Sequence, residues 1–169
     1  MLLNNRKIRN VIETITSKAV LILGSFKPER KAVLDAIREE LRNRDYLPIL
    51  FDFEKPSNKN LTETVSTLAH MARFVIADLT DAKSIPQELQ RIIPGLPGLP
   101  VQPIILSSQY EYSMFKDFLD YNSVLIPYRY GSIKKLLASI DTKVIEPAIA
   151  KVEEIEKRRK AIEKEMARC

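Results

Sequence analysis

Two of the three carboxylates in the stretch "VIADLTDAKSIPQELQRI" stand at element ends: Asp78, where an apolar run ends, and Glu88, near the opening of the next helical pattern. A pair so placed has two uses. It can solvate and cap the ends of a strand and a helix. It can also face a sugar, one carboxylate beside a carbon that gains positive charge and the other on its hydroxyls. The elements that carry the two residues decide whether they can meet.

Those elements alternate along the middle of the chain. "KAVLILGSF" (18–26) is a continuous apolar run, the mark of a strand covered on both faces. Pro28 opens a helical stretch with Val33, Ile37 and Leu41 at four-residue spacing. "LPILFDF" (47–53) is the second strand. Asn60 and Glu63 then match a capping box before Leu61, Val65 and Leu68.

"RFVIADL" (73–79) is the third strand, and Ser84 with Gln87 gives another capping box, with Pro86 in the first turn. "PGLPGLP" (94–100) is a loop. "VQPIILSS" (101–108) is the fourth strand, and "YEYSMFKDFLDY" (110–121) reads as an aromatic-faced helix. "SVLIPY" (123–128) is the fifth strand, followed by a Ser132-capped helix.

Strict alternation predicts an α/β, flavodoxin-like three-layer fold. Its five-stranded parallel sheet has the order 2-1-3-4-5 and flanking helices, with a long charged C-terminal helix. Three parts are expected: an N-terminal helix over 1–17, a nucleotide-binding domain over 18–143 and a charged helix over 144–169. Ile8, Val11, Ile12 and Ile15 give the first helix an apolar side, and Ile149, Val152, Ile155 and Ile162 stripe the last. Both ends read as helices packed on the sheet or solvated, or as contacts for a homo-oligomer or a fused partner domain.

Order 2-1-3-4-5 puts the ligand crevice between the first and third strands, outside their carboxyl ends. The loops there are 23–29 and 78–84. They bring Gly24, Ser25 and Phe26 together with Asp78, Thr80, Asp81 and Ser84, and Glu88 lies one turn into the helix that leaves the crevice. Gly24 allows close backbone approach, and Ser25 and the helix N-terminus offer donors to a hydroxyl or phosphate.

"LILGSF" and "VIADLTDAKSIPQEL" resemble the two signature stretches of nucleoside 2-deoxyribosyltransferases and the related TIR domains, over about residues 18–130. The resemblance implies that Glu88 is the catalytic carboxylate at the anomeric carbon and that Asp78 orients the nucleoside. Ser25 stands where the transferases have proline, Gln90 where they have glycine, and the Asp78-to-Glu88 gap is about one residue shorter. These departures favour a TIR-like relative. The implied substrate is NAD or a related nucleotide, with no cofactor. Nicotinamide, already cationic, leaves without an acid, so one glutamate stabilising the sugar suffices.

Other classes fit less well. A receiver domain has an acidic pair where this first strand ends Gly-Ser-Phe, and a lysine where the fifth ends Pro-Tyr-Arg-Tyr. A flavodoxin needs a phosphate loop that "FKPE" does not supply. The net charge of +5 sits mainly in residues 1–18, with four basic and one acidic side chain, so the centre carries no basic stripe for nucleic acid.

His70 is the one histidine and Cys169 the one cysteine, so no metal site is expected. His70 reads as structural, and Tyr110, Tyr112 and Phe115 as packing. Without an apolar span or leader pattern, the chain is expected to be cytoplasmic and off the membrane.

Overall fold

The residues of β1 (Ala19–Gly24) are all buried, because helices cover the sheet on both sides. The computed structural model of the chain describes residues 5–54, 59–82, 86–109 and 113–169. Beside β1 lie β2 (Leu47–Asp52), β3 (Phe74–Asp78), β4 (Val101–Leu106) and β5 (Tyr128–Tyr130). All pairs are parallel and the order is β2-β1-β3-β4-β5, as the alternation predicts.

Side-chain alternation splits the core in two. Val20 and Ile22 of β1, with Phe74 and Ile76 of β3, meet α2 (Pro28–Asn43), α5 (Ile133–Ala138) and α6 (Glu146–Met166). Leu21, Leu23, Val75 and Ala77 meet α3 (Lys59–Met71) and α4 (Gln87–Gly95) on the other face. Val33, Ile37 and Leu41 bury the predicted stripe of α2, and Leu34 beside them is fully enclosed. Truncating one such leucine costs about 2–5 kcal/mol.

Local chemistry moved several boundaries. Asn60 lies inside α3, where its carbonyl accepts from Thr64 Oγ1 at 2.9 Å, so it is not the cap. α4 starts at Gln87 after Pro86, which makes no side-chain cap bond; the expected cap, Ser84, lies outside the described residues. Instead of an aromatic-faced helix over 110–121, Ser113–Phe118 forms a 3₁₀ turn, and Tyr110 and Tyr112 fall outside the described residues. Phe115 is buried and stacks on Phe118, as packing predicts.

The fifth strand lies later than 123–128. Val124 makes only an isolated bridge to Val101, and the ladder resumes at Tyr128. Pro103 and Pro127 lack N–H groups, so this ladder is short of donors. The buried Gln102 side chain fills in, donating to the Pro103 and Ile126 carbonyls at 2.9 and 3.1 Å. Ser132 caps α5 as expected, accepting from the Lys135 amide at 3.3 Å.

The ends are helical. α1 (Asn5–Lys18) buries none of its residues and leaves Ile8, Val11 and Ile12 exposed. α6 follows a π turn (Asp141–Ile145), buries Ala148 and Val152, and is exposed from residue 156 onward. Among the described residues no helix is long and apolar enough to cross a membrane.

Candidate functional site

Asp78 ends β3 with the side-chain parity of Phe74 and Ile76, so its carboxylate turns towards α2. Arg30, on the first turn of that helix, meets it at 3.2 Å. The other carboxylate oxygen accepts from the Thr80 amide at 3.1 Å. Arg30 also donates to the Tyr130 hydroxyl, and Thr80 Oγ1 accepts from the Leu106 amide at 2.9 Å. Arg30, Asp78, Thr80 and Tyr130 are all buried. This network ties α2, β3, β4 and β5 together. Burial pushes the Asp78 carboxyl up, while Arg30 and the Thr80 bonds pull it back. Burial, with the Asp78 charge, also pushes the Tyr130 hydroxyl up.

The β1 turn is similarly engaged. A Cβ on Gly24 would stand 2.7 Å from both Leu34 methyl groups, so the glycine is explained by the approach of α2. Ser25 is buried and its hydroxyl accepts from the Lys27 amide at 3.3 Å. Asp52, at the end of β2, accepts from the Phe26 and Glu54 amides at 3.3 and 3.1 Å, and thereby holds the two turns side by side. Asp81 is exposed, with φ of 59°. That left-handed conformation is one that aspartate tolerates better than most residues.

Glu88 has a different setting. It is 9 % exposed and its Oε2 is buried with no hydrogen-bond partner among the described residues. It borders a cavity of about 270 Å³ between α3 and α4. Val65, Ile92 and Leu96 supply apolar wall, and Ser66, His70, Gln87 and Arg91 supply polar groups. Burial pushes the Glu88 carboxyl above its ordinary value; its own backbone amide and the nearby Arg91 charge oppose this less strongly.

The described lining of this cavity includes neither Asp78 nor the 24–26 turn. Asp78 is engaged from the α2 side, whereas Glu88 opens between α3 and α4. The predicted meeting of the two carboxylates with Gly24, Ser25 and Phe26 is therefore not seen among the described residues. Ser84 lies outside them.

Sequence reasoning set His70 aside and did not single out Arg91. The signal was helical spacing. Ser66 and His70 fall at i and i+4 on α3, and Glu88, Arg91, Ile92 and Gly95 at i, i+3, i+4 and i+7 on α4. No group of three or more His, Cys, Asp or Glu that could hold a metal ion occurs among the described residues.

No protein-family model matches the chain, and no curated protein matches it in sequence. Among solved structures it is similar to the Clostridium botulinum CMP N-glycosidase BcmB, with a TM-score of 0.55 and 14 % identity. That match covers 72 % of this chain and 97 % of the other. The sugar isomerase domain of an RpiR transcription factor from Sphaerobacter thermophilus matches at a TM-score of 0.45 and 17 % identity, over 91 % and 87 % of the two chains. At such identities the likeness to the N-glycosidase is one of fold.

Proposed function

We propose that this chain is a TIR-like nucleotide-binding domain that hydrolyses the N-glycosidic bond of NAD or a related nucleotide, in a signalling or defence role. The observation that carries the proposal is the Glu88 carboxylate, buried beside a cavity at the start of α4 and with Oε2 unpartnered among the described residues. A buried carboxylate oxygen without a partner costs stability, a cost of the kind that working sites retain. The fold shared with a CMP N-glycosidase is consistent with this chemistry.

In the reaction the bond from C1′ to the base nitrogen breaks with its electron pair leaving on the base, and positive charge spreads over the ribose ring. An ionised Glu88 attracts that cation more strongly than the uncharged ground-state sugar, which lowers the barrier. Water then forms the new C1′–O bond. Its proton passes to solvent when the base is nicotinamide, which leaves neutral, and to the ring nitrogen when the base is cytosine, which leaves with a negative charge. With Asp78 held by Arg30 and Thr80, sugar positioning falls to groups of the Glu88 cavity such as Gln87 and Ser66.

The test is incubation of the chain with NAD and with CMP, following nicotinamide and cytosine by chromatography. Release of either base supports the proposal. Intact nucleotides at high protein concentration contradict it. A second reading, a non-catalytic TIR-like assembly module, draws on the exposed Ile8, Val11 and Ile12 of α1 and Ile162 and Met166 of α6.

A further inference from the structure

The cavity at Glu88 does not end where a ribose would. Its α4 wall runs on to Gly95, seven residues along, or about 10 Å at the helical rise. Val65 of α3 and Ile92 of α4 are apolar walls of the groove, and His70 borders it from the last turn of α3. Apolar wall bordered by polar groups suits a planar ring that carries hydrogen-bonding substituents.

The bonding of His70 sets what that group offers. Its Nδ1 lies 2.7 Å from the Ser66 carbonyl oxygen. A carbonyl only accepts, so Nδ1 carries the hydrogen and Nε2 of the neutral ring is left with a lone pair. Among the described residues His70 has no other hydrogen bond.

Building on the N-glycosidase reading, we propose that the groove beyond Glu88 is the slot for the leaving base, and that His70 Nε2 accepts a hydrogen bond from an exocyclic amino or carboxamide N–H of that base. A base with a carbonyl oxygen at that position sets acceptor against acceptor and loses the bond. Nucleotides of amino-bearing bases are then preferred over their oxo counterparts. His70 is exposed, so one such bond is worth roughly a five- to tenfold preference.

Calorimetric titration of the full chain with CMP and UMP tests this, since the two differ by an amino group against an oxygen. Carrying Glu88→Gln prevents turnover during the titration. CMP is expected to bind about five- to tenfold more tightly than UMP. His70→Phe, which keeps a flat ring but no acceptor, should bring the ratio close to one. Gly95→Leu should weaken both nucleotides, because Gly95 lines the groove and nothing lies within 4 Å of where its Cβ would stand, so a leucine there is accommodated beside the slot and narrows it.

An unchanged ratio in His70→Phe, unaltered binding in Gly95→Leu, or no binding of either nucleotide overturns the slot. Base release by the chain with Glu88 intact separates the two claims. A chain that cleaves CMP and UMP alike, with or without His70, overturns the slot and leaves the N-glycosidase reading standing. A chain that cleaves none of NAD, CMP and UMP, yet keeps a His70-dependent preference for CMP, overturns that reading and supports the slot.

Discussion

Arg30 Nε stands 3.2 Å from the Asp78 carboxylate, with the two side chains only 8 % and 1 % exposed. This contact joins the first turn of α2 to the carboxyl end of β3. Removing the cation leaves a buried negative charge without its partner. Arg30→Leu is therefore expected to destabilise the fold by about 3–5 kcal/mol in urea unfolding. Asp78→Asn, which retains a carbonyl for the Thr80 amide, should cost less. A loss below about 1 kcal/mol in Arg30→Leu would show that the pair does not hold these elements together.

Gly24 gives a second test, because its role here is packing. Gly24→Ala pushes a methyl group against the enclosed Leu34 and should destabilise by about 1–3 kcal/mol. Leu34→Ala in the same chain makes room, so the two losses should fall short of additive. Strict additivity in equilibrium unfolding would refute the clash.

The carboxyl of Glu88 predicts a pH dependence of stability. Its folded pKa is raised by burial, so the folded state favours the protonated form. That contribution is complete below the unfolded value of about 4.3 and is lost as pH rises through the folded value. Glu88→Gln removes the titration. The variant should match the wild type in acid and exceed it at neutral pH by roughly 1 kcal/mol. A variant less stable than wild type at pH 7 would contradict the unpartnered state of Oε2.

The chain ends carry the homo-oligomer proposal. Ala148 and Val152 belong to the core, so substitutions there report on folding. Ile162 and Met166 are exposed on the far part of α6. If they mediate self-association, Ile162→Ser with Met166→Ser should lower the mass seen by light scattering and leave the unfolding midpoint unchanged. A monomer mass in both proteins returns this part of α6 to a solvated face.

The sheet was legible in the sequence because its signal is dense. Five apolar runs separated by helical periods admit few topologies, and "AVLILG" has no polar side chain to place on either face. What stayed hidden depends on contacts distant in sequence. Asp78 and Arg30 are 48 residues apart, and nothing local to "IADLT" reveals that an arginine from α2 will occupy that carboxylate. Fold analogy aimed both acids at one crevice, but side-chain parity along β3 turns Asp78 to the α2 layer, while α4 belongs to the other. Likewise β5 began late because two prolines withhold donors from the ladder. His70 was passed over because a lone histidine in a helical pattern carries no signal until the facing helix is known.

The central claim is that Glu88 acts on the sugar. Base release from NAD and CMP by the wild type and by Glu88→Gln, with nucleotide affinity measured alongside, tests it most directly. The predicted result is turnover by the wild type that increases with pH through the raised pKa of Glu88, as the carboxylate ionises. In Glu88→Gln turnover should disappear while affinity stays within a few-fold of wild type, because the lost interaction belongs to the transition state. Turnover in Glu88→Gln close to that of the wild type would contradict the claim.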